Sequence, residues 1–386
     1  MPDQARPLPE RDLTWHRRQA ALLDRPGLEK ALRQRVKRGD FRAAVVYLSR
    51  MMADAPDPAT ALMQAQMQMR CRAYREALCQ LQEPLLRWPG DLALRRMQAE
   101  LAMLARDYSL AGQVWQILLD QHRVQGPYAI LRRLACLRLC GQHDAAQALI
   151  ERQAERLRKH MARAGVQMLR KPRPTLAAGL YIICGNNGTG KSTLGQFLQA
   201  MGYAIIDADT EIASFCLGRR FSDVRYDLLR AFPQAEADIR WLWPEIRARA
   251  CFAAARRKKA AVFVIGGFGA ALAPYRHAFR QAFHLTAPDR VIADRLAARN
   301  SIGHKPGSAG FDAALRRNRR EQRPDHDAII LSSDRPTWAI CADLLAAIEG
   351  ERPPTDNLLQ ATWPICNVPD QTLPPLRHHG QGRSAN

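Results

Sequence analysis

No run of the chain approaches the roughly eighteen apolar residues that a membrane-spanning helix needs. The first ten residues, Met1 to Glu10, are charged and proline-bearing, without the apolar centre of a secretion signal. The 9 cysteines are odd in number and contain no Cys-x-x-Cys pair. Their nearest spacing, Cys136 and Cys140, is one helical turn, which argues for a helix face rather than a metal site. Free thiols fit a reducing compartment, so the expected location is the cytoplasm. Aromatic residues are few at 7%, and no basic run is interleaved with them as a nucleic-acid surface would require. Acidic residues are also scarce. There are 37 against 58 lysines and arginines, a net charge of +21. That excess fits an anionic partner (nucleic acid, a membrane surface or a phosphorylated substrate), or else solvated arginine-rich helix faces.

What is present is ordinary globular material. With 386 residues, 47% of them hydrophobic and 25% charged, the chain can bury a sizeable core, and its length suggests two domains. The first half repeats itself. Gly39-Asp40-Phe41-Arg42-Ala43-Ala44 returns as Ala73-Tyr74-Arg75-Glu76-Ala77, then as Asp107-Tyr108-Ser109-Leu110-Ala111, and more faintly as Gly141-Gln142-His143-Asp144-Ala145-Ala146. Ala44, Ala77, Ala111 and Ala146 stand about 34 positions apart. One turn after each comes a bulky apolar residue: Leu48, Leu81, Trp115 and Ile150. Each unit reads as two helices. The alanine admits the paired helix, the bulky residue fills the space, and Pro56 or Pro89 ends the second helix. Arg123 and Arg158 take the proline's place in the third and fourth units. This spacing resembles the tetratricopeptide repeat over roughly residues 28–160. The resemblance implies a stacked solenoid whose concave surface binds a protein partner, with support of the catalytic domain as the other reading.

Lys171-Pro172-Arg173-Pro174 bars a helix and marks a boundary. After it, short apolar runs alternate with helical stretches: Leu180–Cys184, Tyr203–Ile206, Ala261–Ile265, Ala282–Leu285 and Ala328–Leu331. Strands alternating with helices predict a parallel sheet covered on both faces. The expected layout is two-domain: an all-α repeat followed by an α/β P-loop fold. Its segments are an N-terminal extension at 1–27, helical repeats at 28–170, a linker at 171–175, the P-loop domain at 176–350 and a largely disordered tail at 351–386. Within that tail, Trp363-Pro364-Ile365-Cys366 is a candidate docking segment.

The strand Leu180–Cys184 runs into Gly185-Asn186-Asn187-Gly188-Thr189-Gly190-Lys191-Ser192, and Thr193 and Leu194 continue the helix that opens there. The glycines let backbone amides turn inward around phosphates, and the helix N-terminus adds its positive end. Lys191 is placed for the β- and γ-phosphates and Ser192 for magnesium. ATP with magnesium is the expected ligand.

Three further segments favour a kinase over a motor. Ile205-Ile206-Asp207-Ala208-Asp209 ends a strand in two carboxylates two apart, expected on one face of extended chain at the C-terminal sheet edge, with a helix cap at Asp209 as the competing reading. Val262–Ile265 ends in Gly266-Gly267-Phe268-Gly269, where a motor carries an acidic pair. A helix bearing Arg290, Arg295 and Arg299 leads into a glycine-containing stretch, Asn300 to Gly310, then into Arg316, Arg317, Arg319, Arg320 and Arg323. Such a stretch suits a lid that closes over phosphates.

In order and spacing, residues 176–350 resemble the shikimate kinase and nucleoside-monophosphate-kinase-like families. Gly202 to Asp209 also looks like the corresponding stretch of dephospho-CoA kinases. The resemblance implies Asp207 near magnesium, Asp209 on the accepting hydroxyl, and Gly266-Gly267 as a substrate loop, which Phe268 interrupts. Arg219, Arg220 and Arg240 are candidates for the acceptor, Arg299 for the lid, and Arg320 or Arg323 for the late arginine. The implied activity is transfer of a γ-phosphoryl group to a small-molecule hydroxyl. A nucleotide-switched scaffold ATPase and a polynucleotide-kinase-like enzyme are the alternatives.

Overall fold

The computed structural model describes residues 10–37, 39–120, 126–217, 221–222, 239–266, 273–298, 306–320 and 328–350. A helical region leads into an α/β domain built on a parallel sheet. The helices are α1 (Glu10–Leu22), α2 (Arg25–Lys37), α3 (Phe41–Asp54), α4 (Pro58–Arg70), α5 (Tyr74–Gln80), α6 (Gln82–Arg87), α7 (Leu92–Leu104), α8 (Tyr108–Asp120), α9 (Pro127–Leu139), α10 (His143–Arg152) and α11 (Ala154–Arg170).

A single turn geometry recurs through this region. Gly39, Arg72, Arg106 and Gly141 each adopt the left-handed conformation, with φ of 72°, 62°, 62° and 73°. The N–H of each following residue donates to the carbonyl five positions back: Asp40 to Arg35, Ala73 to Gln68, Asp107 to Ala102 and Gln142 to Leu137, at 2.8–3.0 Å. That bond closes a helix and turns the chain into its antiparallel partner. Aspartates start several of the helices by accepting N–H bonds: Asp40 from Ala43, Asp57 from Thr60, and Asp91 from Ala93 and Leu94. Ala44, Ala77, Ala111 and Ala146 are all buried, as are Leu48, Leu81, Trp115 and Ile150, so the small-then-bulky spacing is spent on helix contacts.

Two features of this region go beyond the sequence pattern. Helix α1 begins at Glu10, inside the segment set apart as an N-terminal extension. Its Ala20 packs with Leu28, Ala43 and Tyr47, and His16 lies 3.2 Å from the Tyr47 hydroxyl. The short apolar face of α1 lies among charged residues, so composition does not announce this helix. At the far end of the span expected as helical repeats, residues 151–170 are divided between α10 and α11, and α11 kinks at Ala162 (φ 58°), with Arg158 inside it. Arg123 and the tail from 351 lie outside the described residues.

The α/β domain carries β1 (Gly179–Gly185), α12 (Lys191–Ala200), β2 (Ala204–Asp207), α13 (Ala208–Glu211), β3 (Ser214–Leu217), β4 (Phe221–Ser222), β5 (Ile239–Leu242), α14 (Glu245–Arg256), β6 (Ala261–Ile265), β7 (Gln281–Thr286), α15 (Asp289–Ala298), α16 (Ala309–Arg320), β8 (Ile329–Ser332) and α17 (Thr337–Glu349). The five apolar runs form one parallel sheet in the order β2-β6-β1-β7-β8. Strand alternation divides it into two faces. Leu180, Ile182, Val262 and Val264 meet Trp243, Phe252 and Tyr275 on one face. Tyr181, Ile183, Phe263 and Ile265 meet Leu194, Phe197 and Leu344 on the other. Helix α12 lies close on this second face because Gly195 has no side chain; an added Cβ would fall 2.0 Å from Ile265 Cδ1.

The second core does not stop at the domain edge. It runs on without interruption into Trp115, Leu118, Ile130 and Leu134 of the helical region. Helix α9 packs on α12, Arg132 donates to Gln199 Oε1 at 2.8 Å, and Arg138 donates to the Ala200 carbonyl. A small antiparallel sheet, β4-β3-β5, follows α13 and was not anticipated.

Candidate functional site

Strand β1 delivers the chain to Gly185 at the C-terminal edge of the sheet, and three positive-φ glycines shape the loop to α12. Gly185 (φ 141°) could not carry a side chain, since a Cβ would meet the Leu285 carbonyl at 2.5 Å. Gly188 (φ 86°) fits against Ile292. Gly190 (φ 89°) opens α12 with no side-chain cap, leaving the first-turn N–H groups for an anion. Ser192 and Thr193 are exposed in that turn, as is Asn187 before it. Thr189 Oγ1 donates to the Asn186 carbonyl at 2.7 Å. The Lys191 ammonium donates to the carbonyls of Gly185 and Asn186 at 2.6 and 2.8 Å, so its charge sits within the loop. Asn186 is buried, and its Nδ2 donor has no partner among the described residues. An uncapped helix start, a lysine and an orphaned donor on one glycine-built loop fit a nucleotide's phosphates.

Behind the loop, Cys184 and His284 stand side by side on β1 and β7, with Sγ 3.7 Å from Nδ1. Burial, and then the Lys191 charge, lowers the His284 pKa to about 4, so the imidazole is neutral at pH 7. Arg295 on α15 donates to the Gly188 carbonyl at 3.3 Å and to the Ser333 carbonyl at 2.5 Å, tying the loop to the chain after β8. In the sequence Arg295 was only one of several arginines on its helix. Arg299, the expected lid arginine, lies outside the described residues, as do Gly267 and Arg323. Arg320 closes α16 and Arg240 lies on β5; the side chains of both are outside the described set. Arg319 is committed to Asp289 at 2.5 Å.

The two carboxylates after β2 are arranged differently from the expectation. The strand ends at Asp207, and Ala208–Glu211 is a short helix, so they do not share one face of extended chain. Asp207, not Asp209, is the cap: its Oδ1 accepts the N–H of Asp209 at 3.1 Å and of Thr210 at 3.3 Å. Asp-x-Asp after a strand is also a helix-start pattern, and here the capping geometry won. The groups still interact. Burial, and then the Asp209 charge, raises the Asp207 pKa. Asp209 is exposed, and its Oδ1 lies 3.4 Å from where a Cβ of Gly266 (φ 112°) would stand. Asp209 and Gly266, predicted together, are thus neighbours.

Glu211 was overlooked. Its Oε1 accepts the Asp207 N–H at 3.0 Å, and its Oε2 accepts from Arg106 of the helical region at 2.8 Å. Burial raises its pKa, and the Arg106 charge opposes the rise. A cavity of about 90 Å³ opens beside these groups, lined by Ser192, Gln196, Asp207 and Glu211 from the α/β domain and by Arg106 and Arg132 from the helical region. Ser192 and Asp207, the pair expected to hold magnesium, therefore share a cavity; Lys191 and Asp209 do not line it. Cys136 is buried against Met103, Cys140 is exposed, and no cluster of three or more metal-ligating side chains occurs among the described residues. No helix among them is long and apolar enough to cross a membrane.

A family model described as an AAA domain matches residues 182–327. Among solved structures, a gluconokinase from Sinorhizobium meliloti 1021 is 17% identical, with a TM-score of 0.29, over 45% of this chain and 94% of that one. TT1252 from Thermus thermophilus is 18% identical, with a TM-score of 0.28, over 45% of this chain and 97% of that one. No curated protein matches the chain.

Proposed function

We propose that the chain is an ATP-dependent phosphotransferase that moves the γ-phosphoryl group to a hydroxyl of a small molecule. The observation that carries this reading is the exposed Asp209 carboxylate against Gly266, at the sheet edge that also presents the Lys191 loop. The α/β fold and the AAA-domain match support nucleotide binding at that loop. Gly185 to Thr193 wrap the phosphates, Lys191 leaves its loop carbonyls for the β- and γ-oxygens, and Asn186 Nδ2 gains an acceptor. Ser192 and Asp207 would hold magnesium, which when bound neutralises charge on the phosphates. Asp209 takes the proton of the acceptor hydroxyl as its oxygen bonds to the γ-phosphorus. The bond from that phosphorus to the β,γ-bridging oxygen breaks, and ADP leaves. Arg299 and Arg320 are the proposed lid pair, and Gly266, Gly267 and Arg240 the acceptor side.

The helical region is proposed to be tetratricopeptide-like, on the strength of four equivalent turns 33–35 residues apart at positions 39, 72, 106 and 141. The core it shares with α12 favours support of the catalytic domain; a protein partner on its free face is compatible with that role. The AAA-domain match favours a second reading, in which the nucleotide is hydrolysed as a switch with no acceptor. A mass-spectrometric screen for ATP-dependent phosphorylation of a metabolite mixture separates the two. Transfer to a metabolite, lost in Lys191→Ala, supports the phosphotransferase; hydrolysis without any phosphorylated metabolite overturns it.

A further inference from the structure

The segment Asp207–Ala213 holds the two carboxylates of the proposed transfer site, Asp207 and Asp209, yet its helix α13 spans only 4 residues. So short a helix does not hold itself. The anchors come from elsewhere. Arg247 of α14 donates to the Ile212 carbonyl at 3.0 Å. The other anchors cross from the helical region. Arg72 donates to the Glu211 carbonyl at 3.2 Å and to the Ala213 carbonyl. Tyr74 donates its hydroxyl to the Thr210 carbonyl at 3.1 Å. Arg106 donates to Glu211 Oε2, while Glu211 Oε1 takes the Asp207 N–H. A relay therefore runs from a repeat turn, through one carboxylate, to the residue that caps the catalytic segment.

The backbone supplies an independent reason to single out these two arginines. Arg72 and Arg106 occupy the left-handed position of their turns, where the first and fourth units carry Gly39 and Gly141. That conformation favours glycine and strains any other residue. The turn itself does not call for arginine. The two units that bear the strain are the two whose side chains reach Asp207–Ala213. Strain kept where a side chain performs a task is the usual mark of a functional position.

We propose that Arg72 and Arg106 are positioning residues of the transfer site. Through them the second and third helical turns fix the Asp207–Asp209 carboxylates against the phosphate loop. The proposal rests on the phosphotransfer reading for its kinetic arm only.

The test uses the full chain with Arg72→Gly, Arg106→Gly and the double variant. Glycine relieves the turn, so an arginine that serves only the turn would leave every readout level or improved. The expected result has three parts. Affinity for magnesium with a non-hydrolysable ATP analogue stays within about 3-fold. Amide exchange across residues 207–213 speeds up about 10-fold or more, without a matching change in the sheet. The kcat of transfer falls about 10-fold or more with KM little changed. Arg106→Lys, which keeps the charge, recovers part of the loss. Unchanged exchange at 207–213 in the double variant overturns the proposal. So does loss of nucleotide affinity in step with a general fall in thermal stability. If the double variant fails to fold, the two Arg→Lys variants carry the same readouts. If the wild-type chain transfers no phosphate, the phosphotransfer reading fails, and the exchange measurement still decides the positioning role.

Discussion

The two halves of the molecule use left-handed backbone for opposite ends. In the helical region it closes helices, and the position tolerates arginine as well as glycine; around Gly141 an added Cβ would meet nothing within 4 Å. In the phosphate loop it gathers amides, and the space is closed; at Gly185 the Leu285 carbonyl stands 2.5 Å from the site of a Cβ. The lesson is that positive φ alone does not demand glycine. What demands it is positive φ together with backbone on the side where a Cβ would go.

Gly185→Ala and Gly141→Ala put that contrast to the test at its widest. The first combines strain with a backbone clash. We expect it to destabilise the fold by about 3 kcal/mol or more and to abolish nucleotide affinity, as read by denaturant melts and calorimetry. Equal costs at the two positions would sink the distinction. Within the α/β half, Asp209→Asn is expected to spare nucleotide binding and to lose turnover by roughly 100-fold, the effect of removing a general base. An unchanged rate would remove Asp209 from the chemistry.

A subtler comparison uses one buried histidine from each half. His16 and His284 both have pKa values lowered to about 4, burial being the larger cause in each. Each is neutral when folded and accepts a proton more readily when unfolded. The stability tied to each is full above about pH 6.5 and is lost as the pH falls through about 4, on the order of 3 kcal/mol apiece. His16→Gln should flatten that part of the acid-unfolding curve. The two part company on nucleotide binding. His284 feels the Lys191 charge, and phosphates offset that charge, so an NMR titration should show the His284 pKa rising with bound magnesium nucleotide while His16 stays put. The smallest expected effect is Gly141→Ala, about 1–2 kcal/mol of left-handed strain with transfer rates unchanged.

The parallel sheet and the phosphate loop were legible because their information is contiguous: five apolar runs, and a loop read in a single stretch from Gly185 to Thr193. The recurring alanines were legible because a period repeats its own evidence. The β4-β3-β5 sheet was not, since strands of 2–4 residues carry too little alternation to read. The capping bonds of Asp207 were not legible, because a strand-end carboxylate and a helix cap share one local spelling. Glu211, Arg72 and Arg106 were missed for a different reason. Their partnerships span 105 to 141 residues, and nothing in either local stretch announces the other.

The unbroken packing from Trp115 and Leu134 to Phe197 and Leu344 has a consequence for how the molecule comes apart. Cutting the chain at residues 171–175 would not yield two modules. It would peel α9 from α12 and leave the back of the phosphate-loop helix as bare hydrocarbon, prone to clump. The intact protein should therefore melt as one cooperative body, and heat should empty the nucleotide site and loosen the repeats at the same temperature.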